Sequence, residues 1–355
     1  IADFRNAAQT VTGGGEFNVL AGATLKIGAT SGITSSGTTG PVQTTTRGYN
    51  VGATYSYEGI ASQVTGNGIP SNVSGLAVNN VTGVTLTSSA TVSGNLAFTA
   101  GNLITGSNSL TLGTAATITG AGSTGWVVGP LSKQTATNAS PSFNFAIGDA
   151  TNYTPIALAF TGNSSATGTI TASSTSGDHP QLASSDLDSA NSVNRTWTLV
   201  NNGLTGFTDY SATLNYAATD NDASSESANY VVRKYNASTW TLPVTTPAPS
   251  PTSANASGLV DFGDFAVGKI SSLANQDFDM SQFSYYPNPV NDVLNLSYSH
   301  DINRVKVLNM VGQELLSSQV NSKTAQIDLS SFAKGAYFIQ VTSETAIKTV
   351  RVIKK

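Results

Sequence analysis

The chain has no cysteine, two histidines, two methionines and few charges. Its 355 residues carry 16 Lys+Arg and 20 Asp+Glu, so charged residues are 10% of the total, against about 25% in an ordinary soluble domain. Without cysteine there are no disulfides, thiolate metal sites or cysteine nucleophiles. The same absence says little about compartment, because a large β protein needs no staples in an oxidising environment. No apolar run approaches the length of a membrane helix. With an isoelectric point near 5.1 and no basic cluster, the electrostatic footprint of nucleic-acid binding is missing. The first residue is Ile1, so a processed form or a fragment of something longer is expected.

What fills the chain instead is glycine, 34 residues, with serine and threonine making up roughly a quarter, a composition that suits strands and turns better than helices. Hydrophobic residues are 39% and the mean hydropathy is −0.04, enough for more than one core. From Phe17 to Ile118 the sequence reads as short apolar dashes between turn-forming residues. Gly75-Leu76-Ala77-Val78, Gly83-Val84-Thr85-Leu86, Gly94-Asn95-Leu96-Ala97-Phe98 and Ser109-Leu110-Thr111-Leu112 are examples. Apolar residues alternate within each dash, the pattern of a strand with one buried face. The dashes recur about every seven to ten residues, a cadence that fits the rungs of a β-solenoid or β-helix; an up-and-down sandwich is the rival reading.

Near Gly125-Trp126-Val127-Val128-Gly129-Pro130 the strands become longer and more aromatic, as in Arg195-Thr196-Trp197-Thr198-Leu199, Tyr230 to Tyr235 and Gly263 to Val267. Such strands with wide polar loops predict an antiparallel β-sandwich. The expected organisation is therefore all-β: a solenoid-like region over 1–124, a sandwich over 125–269, a linker over 270–282 and a small Ig-like sandwich over 283–355. In that last unit six short strands are expected: Val293–Tyr298, Val305–Met310, Gln313–Ser317, Thr324–Leu329, Ala336–Thr342 and Ala346–Ile353. Gly312 and Gly335 fall where sharp turns would need positive φ. Residues 285–355 hold eight Lys/Arg against five Asp/Glu, a local excess of +3.

The last unit opens with Tyr285-Tyr286-Pro287-Asn288-Pro289-Val290 and continues through Val293-Leu294-Asn295-Leu296, Val305 to Gln313 and Ile327-Asp328-Leu329-Ser330. It closes with Lys334-Gly335-Ala336-Tyr337-Phe338-Ile339 and the basic run Lys348 to Lys355. This ordered set resembles the type A C-terminal sorting domain of proteins exported by the type IX secretion system of Bacteroidota. The resemblance covers about a fifth of the chain. It implies signal-peptide-dependent passage through the periplasm, docking of this domain on an outer-membrane shuttle barrel and translocon, and an extracellular or cell-surface destination. The positions it singles out are Pro287, Asn288, Pro289, Gly312, Gly335, Tyr337, Lys348, Arg351, Lys354 and Lys355. The upstream region resembles, by composition, repetitive adhesin-like passengers of surface proteins in the same bacteria.

On residues alone, each proline removes an N–H and fixes φ, so Pro-Asn-Pro makes a stiff extended approach to the sandwich. Whether it is only that or also a receptor contact stays open. In the terminal strand one face could pack while Lys348, Arg351, Lys354 and Lys355 present a basic face to a partner. Catalysis is hard to assemble: His179 and His300 lie in different regions, no Gly-x-Ser-x-Gly occurs, and Val64 to Ile118 contains no Asp, Glu, Lys, Arg or His. No enzyme activity and no cofactor are expected. Asp186-Leu187-Asp188 and Asp220-Asn221-Asp222 could offer oxygen ligands to calcium, but solvated turns are the favoured reading. Asp188-Ser189-Ala190 resembles the O-glycosylation sequon of the same bacteria. Trp126, Trp197 and Tyr235 are either core aromatics or a sugar-stacking platform. The passenger is expected to serve adhesion or surface structure, with a link to gliding motility. The alternative is a carbohydrate-binding accessory region of a secreted enzyme whose catalytic part lies upstream.

Overall fold

Glycine-punctuated apolar dashes form strands because alternate residues find one dry face and the glycines turn the chain between them. The computed structural model describes residues 1–222, 227–245, 249–271, 280, 282–343 and 346–355. Strand makes up 57% and helix 3%, so the all-β reading holds. Two compact units divide the chain, Ile1–Ile270 and Ser271–Lys355. Most of the expected linker, 272–279 and 281, lies outside the described residues.

The first unit begins as a β-solenoid of about seven turns. Strands Ala2–Phe4, Thr24–Ile27, Thr54–Tyr57, Asn72–Asn79, Ala90–Ala100, Leu110–Leu112 and Leu131–Thr135 stack in chain order, and each step along this sheet is parallel. A second parallel sheet runs through Gln63–Val64, Val84–Thr85, Leu103–Ile104, Val127–Val128 and Ile147–Gly148. One turn takes about twenty residues, as from Tyr55 to Leu76 to Leu96, so each turn contains more than one of the dashes seen in the sequence. Parallel registry puts like positions on top of one another. Leu25, Tyr55, Leu76 and Leu96 form one buried ladder, and Ile27, Tyr57, Val78 and Phe98 form the next.

Buried polar groups inside the stack are neutral amides and hydroxyls, such as Gln63, Asn80, Thr65 and Thr105. Buried Gln63 donates to the carbonyls of Ile27 and Ala29, both at 3.0 Å. Its Oε1 accepts from the Gly59 N–H and from Asn80 Nδ2, both at 2.8 Å. A buried amide with its bonds made is far less costly than a charge in the same place, which explains how these turns manage without charges. At the corners the turns approach closely. Gly101 has φ +80, and a Cβ there would lie 1.6 Å from the Asn80 carbonyl oxygen.

The solenoid passes into the sandwich without a break. Leu131–Thr135 pairs parallel with Leu110–Leu112 on one edge and antiparallel with Gly168–Ser176 on the other. The sheet then continues antiparallel through Arg195–Asn202, Gly263–Ile270, Tyr230–Asn236 and Thr239–Thr241. A second antiparallel sheet holds Ser142–Phe145, Ile156–Thr161, Asp209–Asn215, Ser253–Leu259 and Val244–Thr245. A single hydrophobic core runs from Val19 in the solenoid to Val267 in the sandwich. The change of pattern near residue 125 therefore marks a change of architecture inside one core.

Lys133 sits at the junction, continuing the ladder of Val92 and Leu112 with a charged residue. Its Nζ donates to the carbonyls of Gly113, Thr114 and Ala116 at 2.6, 3.0 and 2.9 Å and lies 5.1 Å from the Phe143 ring centre. Burial lowers its pKa. Lys133→Met keeps the stem and strands three carbonyls; it is expected to lower stability by about 1–3 kcal/mol, read from urea melts.

In the second unit the order across the sheet is Ser284–Tyr286, Val293–Leu308, Gly335–Ser343 and Ala346–Lys354, with Glu314–Asp328 pairing along Val293–Leu308. All pairs between these strands are antiparallel. The expected strands Val293–Tyr298 and Val305–Met310 are the two halves of one strand whose register shifts between Ser297 and Ile302. Gln313–Ser317 and Thr324–Leu329 likewise merge into Glu314–Asp328. The shift lets one long strand change direction over a shared core that includes Leu294, Leu296, Val305, Val307, Ile339 and Val352.

Candidate functional site

The Pro-Asn-Pro segment closes part of an open sheet edge. Ala346–Lys354 has Gly335–Ser343 on one side along its whole length. On its other side Asn288 acts as a paired residue: its Nδ2 donates to the Arg351 carbonyl at 3.1 Å and its Oδ1 accepts from the Ile353 N–H at 2.9 Å. The Val290 N–H then donates to the Ile353 carbonyl at 2.8 Å, and the Val290 carbonyl accepts from the Lys355 N–H at 2.9 Å. Pro287 and Pro289 flank this contact and stay exposed. Lacking N–H groups, they leave no dangling donor beside the strand end. Tyr286 is 58% exposed next to them.

The terminal strand does not present a basic face. Ala346, Val350, Val352 and Lys354 point inward, and Lys348 is half-buried with them. Lys354 is 8% exposed, and its Nζ donates to the Lys355 carbonyl at 3.2 Å and lies 4.0 Å from Asp292. The outward row is Ile347, Thr349, Arg351 and Ile353, with Lys355 exposed beyond it. The period-2 pattern starts one position away from where the lysines suggest, because a lysine stem packs like an aliphatic side chain once its ammonium has an oxygen to reach. The exposed surface here thus mixes Ile347 and Ile353 with Thr349, one guanidinium and the Lys355 ammonium at its end.

The other expected positions fall in three places. Gly312 has φ +81 in the tight turn from Asn309 to Gln313. Asn309 Oδ1 accepts there from the N–H groups of Val311 and Gln313, and Met310 and Val311 project into solvent. Gly335 stands at φ +159, close to extended, and starts a strand rather than making a sharp turn. Tyr337 is a core residue: it is buried, its hydroxyl donates to the Ala333 carbonyl at 2.8 Å, and its ring packs edge-on against Phe332.

In the first unit, the acidic loops are taken up by protein donors. Asp186 is chelated by Arg233 at 2.6 and 2.7 Å, which lowers its pKa. Asp188 accepts from the Ala190 N–H and Asn191. Asp222 accepts from the Ser192 N–H and Asn194. Asp220 belongs to a network that sequence reasoning missed. Fully buried Arg195 meets Asp220 at 2.8 and 3.1 Å, Asp149 at 2.6 Å and Ser174 Oγ at 3.1 Å. Among the described residues no three or more His, Asp or Glu side chains gather as a metal site. Ser189 of the sequon is exposed.

The three aromatics do not form a platform. Trp197 is fully buried against Tyr216. Trp126 is 8% exposed, donates to the Asp149 carbonyl at 2.8 Å and packs on Tyr153. Tyr235 alone is half-exposed, and its neighbours are His179 and Trp240. His300 is exposed in the other unit and contacts Ser299 and Tyr298.

The strand-edge clamp closes a small antiparallel unit that follows the solenoid and sandwich in the chain. Residues 284–355 match the family described as "Secretion system C-terminal sorting domain". The match supports a substrate of the type IX secretion system. Among solved structures, one chain of PorZ is described as an essential bacterial surface component of the type-IX secretion system of human oral-microbiomic Porphyromonas gingivalis. It is 18% identical over 28% of this chain, with a TM-score of 0.20. The aligned part spans 14% of that chain's length, and a likeness of this degree carries no weight below. No curated protein matches the chain. No helix among the described residues is long and apolar enough to cross a membrane.

Proposed function

We propose that residues 283–355 are the export signal of an otherwise non-catalytic surface or secreted protein, docking on the outer-membrane shuttle barrel and translocon of the type IX system. The observation that carries this reading is the sorting-domain match at 284–355. The docking patch is the surface around the clamp: Tyr286, Pro287 and Pro289 beside Arg351 and Ile353, joined through Asn288. Exposed apolar residues beside Arg351, with Lys355 at the chain end, suit a protein partner better than a purely basic row. The passenger serves adhesion or surface structure. Supporting this are turns from Val64 to Ile118 with no ionisable side chain.

Deleting residues 283–355 is expected to stop the passenger reaching the outside of the cell, read by fractionation and immunoblotting. Undiminished arrival outside would overturn the proposal. Asn288→Ala removes both side-chain bonds to the terminal strand, at about 1 kcal/mol each. It is expected to reduce export while leaving circular dichroism of the passenger unchanged.

A further inference from the structure

The outer face of the sandwich's larger sheet carries a row of directly opposed residues that lies outside the sorting-domain match. Thr198 faces Asp264, Asp264 faces Tyr235, and Tyr235 faces Trp240 across four neighbouring strands. Trp197 and Phe265, one position along, point into the core and are fully buried. The row therefore lies on the opposite face, as the two-residue period of a strand requires. Part of this face is covered by the segment that carries His179, where Leu182 and Leu187 pack with Ala266 against Val231 and Trp240. Beside that cover the row sets a carboxylate and two aromatic rings in register.

The carboxylate is held in place. Thr198 Oγ1 donates to Asp264 Oδ1 at 2.7 Å, and His179 Nε2 lies 3.2 Å from Oδ2. The Gln181 N–H donates to His179 Nδ1 at 3.1 Å, so the ring's proton is on Nε2 and is given to Asp264. The imidazole is buried between Tyr235 and Trp240, with ring centres 4.8 and 5.0 Å away. The Trp240 indole is fixed in turn by the Gln181 carbonyl and Ser184 Oγ at 3.2 and 3.1 Å. Both nitrogens of His179 are engaged, and Asp264 stands between the imidazole and Thr198, so no imidazole meets the hydroxyl as in a hydroxyl–histidine pair.

Beside this cluster lies an open cavity of about 500 Å³ lined by Thr198, Val200, Tyr235, Asn236, Phe262 and Asp264, within the range of about 300–1,000 Å³ for small-molecule sites. Each Asp264 oxygen uses one of its two acceptor positions on the protein and keeps one for a ligand hydroxyl. Tyr235 and Phe262 supply apolar ring surface on the same lining. Hydroxyl groups alternating with C–H faces are the ligand chemistry that uses a fixed carboxylate, an amide and aromatic rings together. An acidic ligand would be repelled by Asp264. We propose that this cavity binds a neutral saccharide, with Tyr235 and Phe262 against its C–H faces and Asp264 accepting from its hydroxyls. The site does not depend on the route of export.

The test is an array of immobilised neutral, amino and uronic oligosaccharides probed with the purified full chain, followed by calorimetry on the sugars that bind. Binding to neutral sugars is expected. Val200→Arg fills the cavity from a position 45% exposed and touches none of the hydrogen bonds above. It and Tyr235→Ala are expected to weaken binding by about tenfold or more. Thermal melts check that Val200→Arg remains folded, and fractionation should show both variants exported normally. Absence of binding to every neutral sugar, preference for uronic acids, or full affinity in folded Val200→Arg would each overturn the assignment.

Discussion

Arg195→Leu is expected to destabilise the first unit by about 3–5 kcal/mol, the range for removing one partner of a buried ion pair. The guanidinium is fully buried and its two carboxylates are 6% and 21% exposed at Asp220 and Asp149. Leucine fills much of the space but strands both negative charges beside the core. Burial pushes the Asp149 carboxyl up, yet the Arg195 bond and those from Thr151 and Asn152 outweigh it and hold the pKa at about 2. Because the folded value lies below the ordinary 3.8, this stabilisation is complete above that pH and fades as pH falls toward 2. The stability gap between wild type and Arg195→Leu should therefore be widest at neutral pH and narrow from about pH 4 to 2. Urea melts at several pH values measure it. Adding Asp220→Leu should recover part of the loss, because an apolar pair is less costly there than a lone charge. A gap under about 1 kcal/mol at pH 7 would mean that water reaches the carboxylates once the arginine is gone.

That network shows where the sequence was readable and where it was not. In Arg195-Thr196-Trp197-Thr198-Leu199 the inward positions are Arg195, Trp197 and Leu199, so an arginine in the buried register was a visible signal for a hidden anion. Its partners are 46 and 25 residues away, and separation of that kind leaves no local trace. The solenoid was legible because its register is repetitive: each dash predicts the face of the next. The handover at Leu131–Thr135 was not, since a strand pairing parallel on one edge and antiparallel on the other reads like any other strand. Lys354 misled for a different reason, its charge suggesting solvent while its position put it inside. Trp240 reads in sequence as one more strand residue, because its place opposite Tyr235 is set by strand pairing.

Gly101→Ala is expected to be the most damaging single-methyl change in the solenoid. Two penalties combine there. At φ +80 an L-residue pays about 1–2 kcal/mol for left-handed backbone. The new methyl would also overlap the Asn80 carbonyl oxygen of the preceding turn, and backbone cannot yield as a side-chain tip can. Forcing the turns apart costs about 1–3 kcal/mol more and weakens the bonds that stack them, Asn80 N–H to Ala100 O and Gly101 N–H to Thr124 O. Gly106 provides the control, with φ +59 but nothing within 4 Å of its added methyl. Gly106→Ala should lose only the first penalty, so the difference between the two variants reads the stacking alone. Hydrogen exchange should locate it: amides of the turns around Asn80, Gly101 and Thr124 should lose protection in Gly101→Ala and keep it in Gly106→Ala. Equal losses in the two proteins would mean that the corner yields. In that case the close approach of successive turns would not be what lets this charge-free stack hold together.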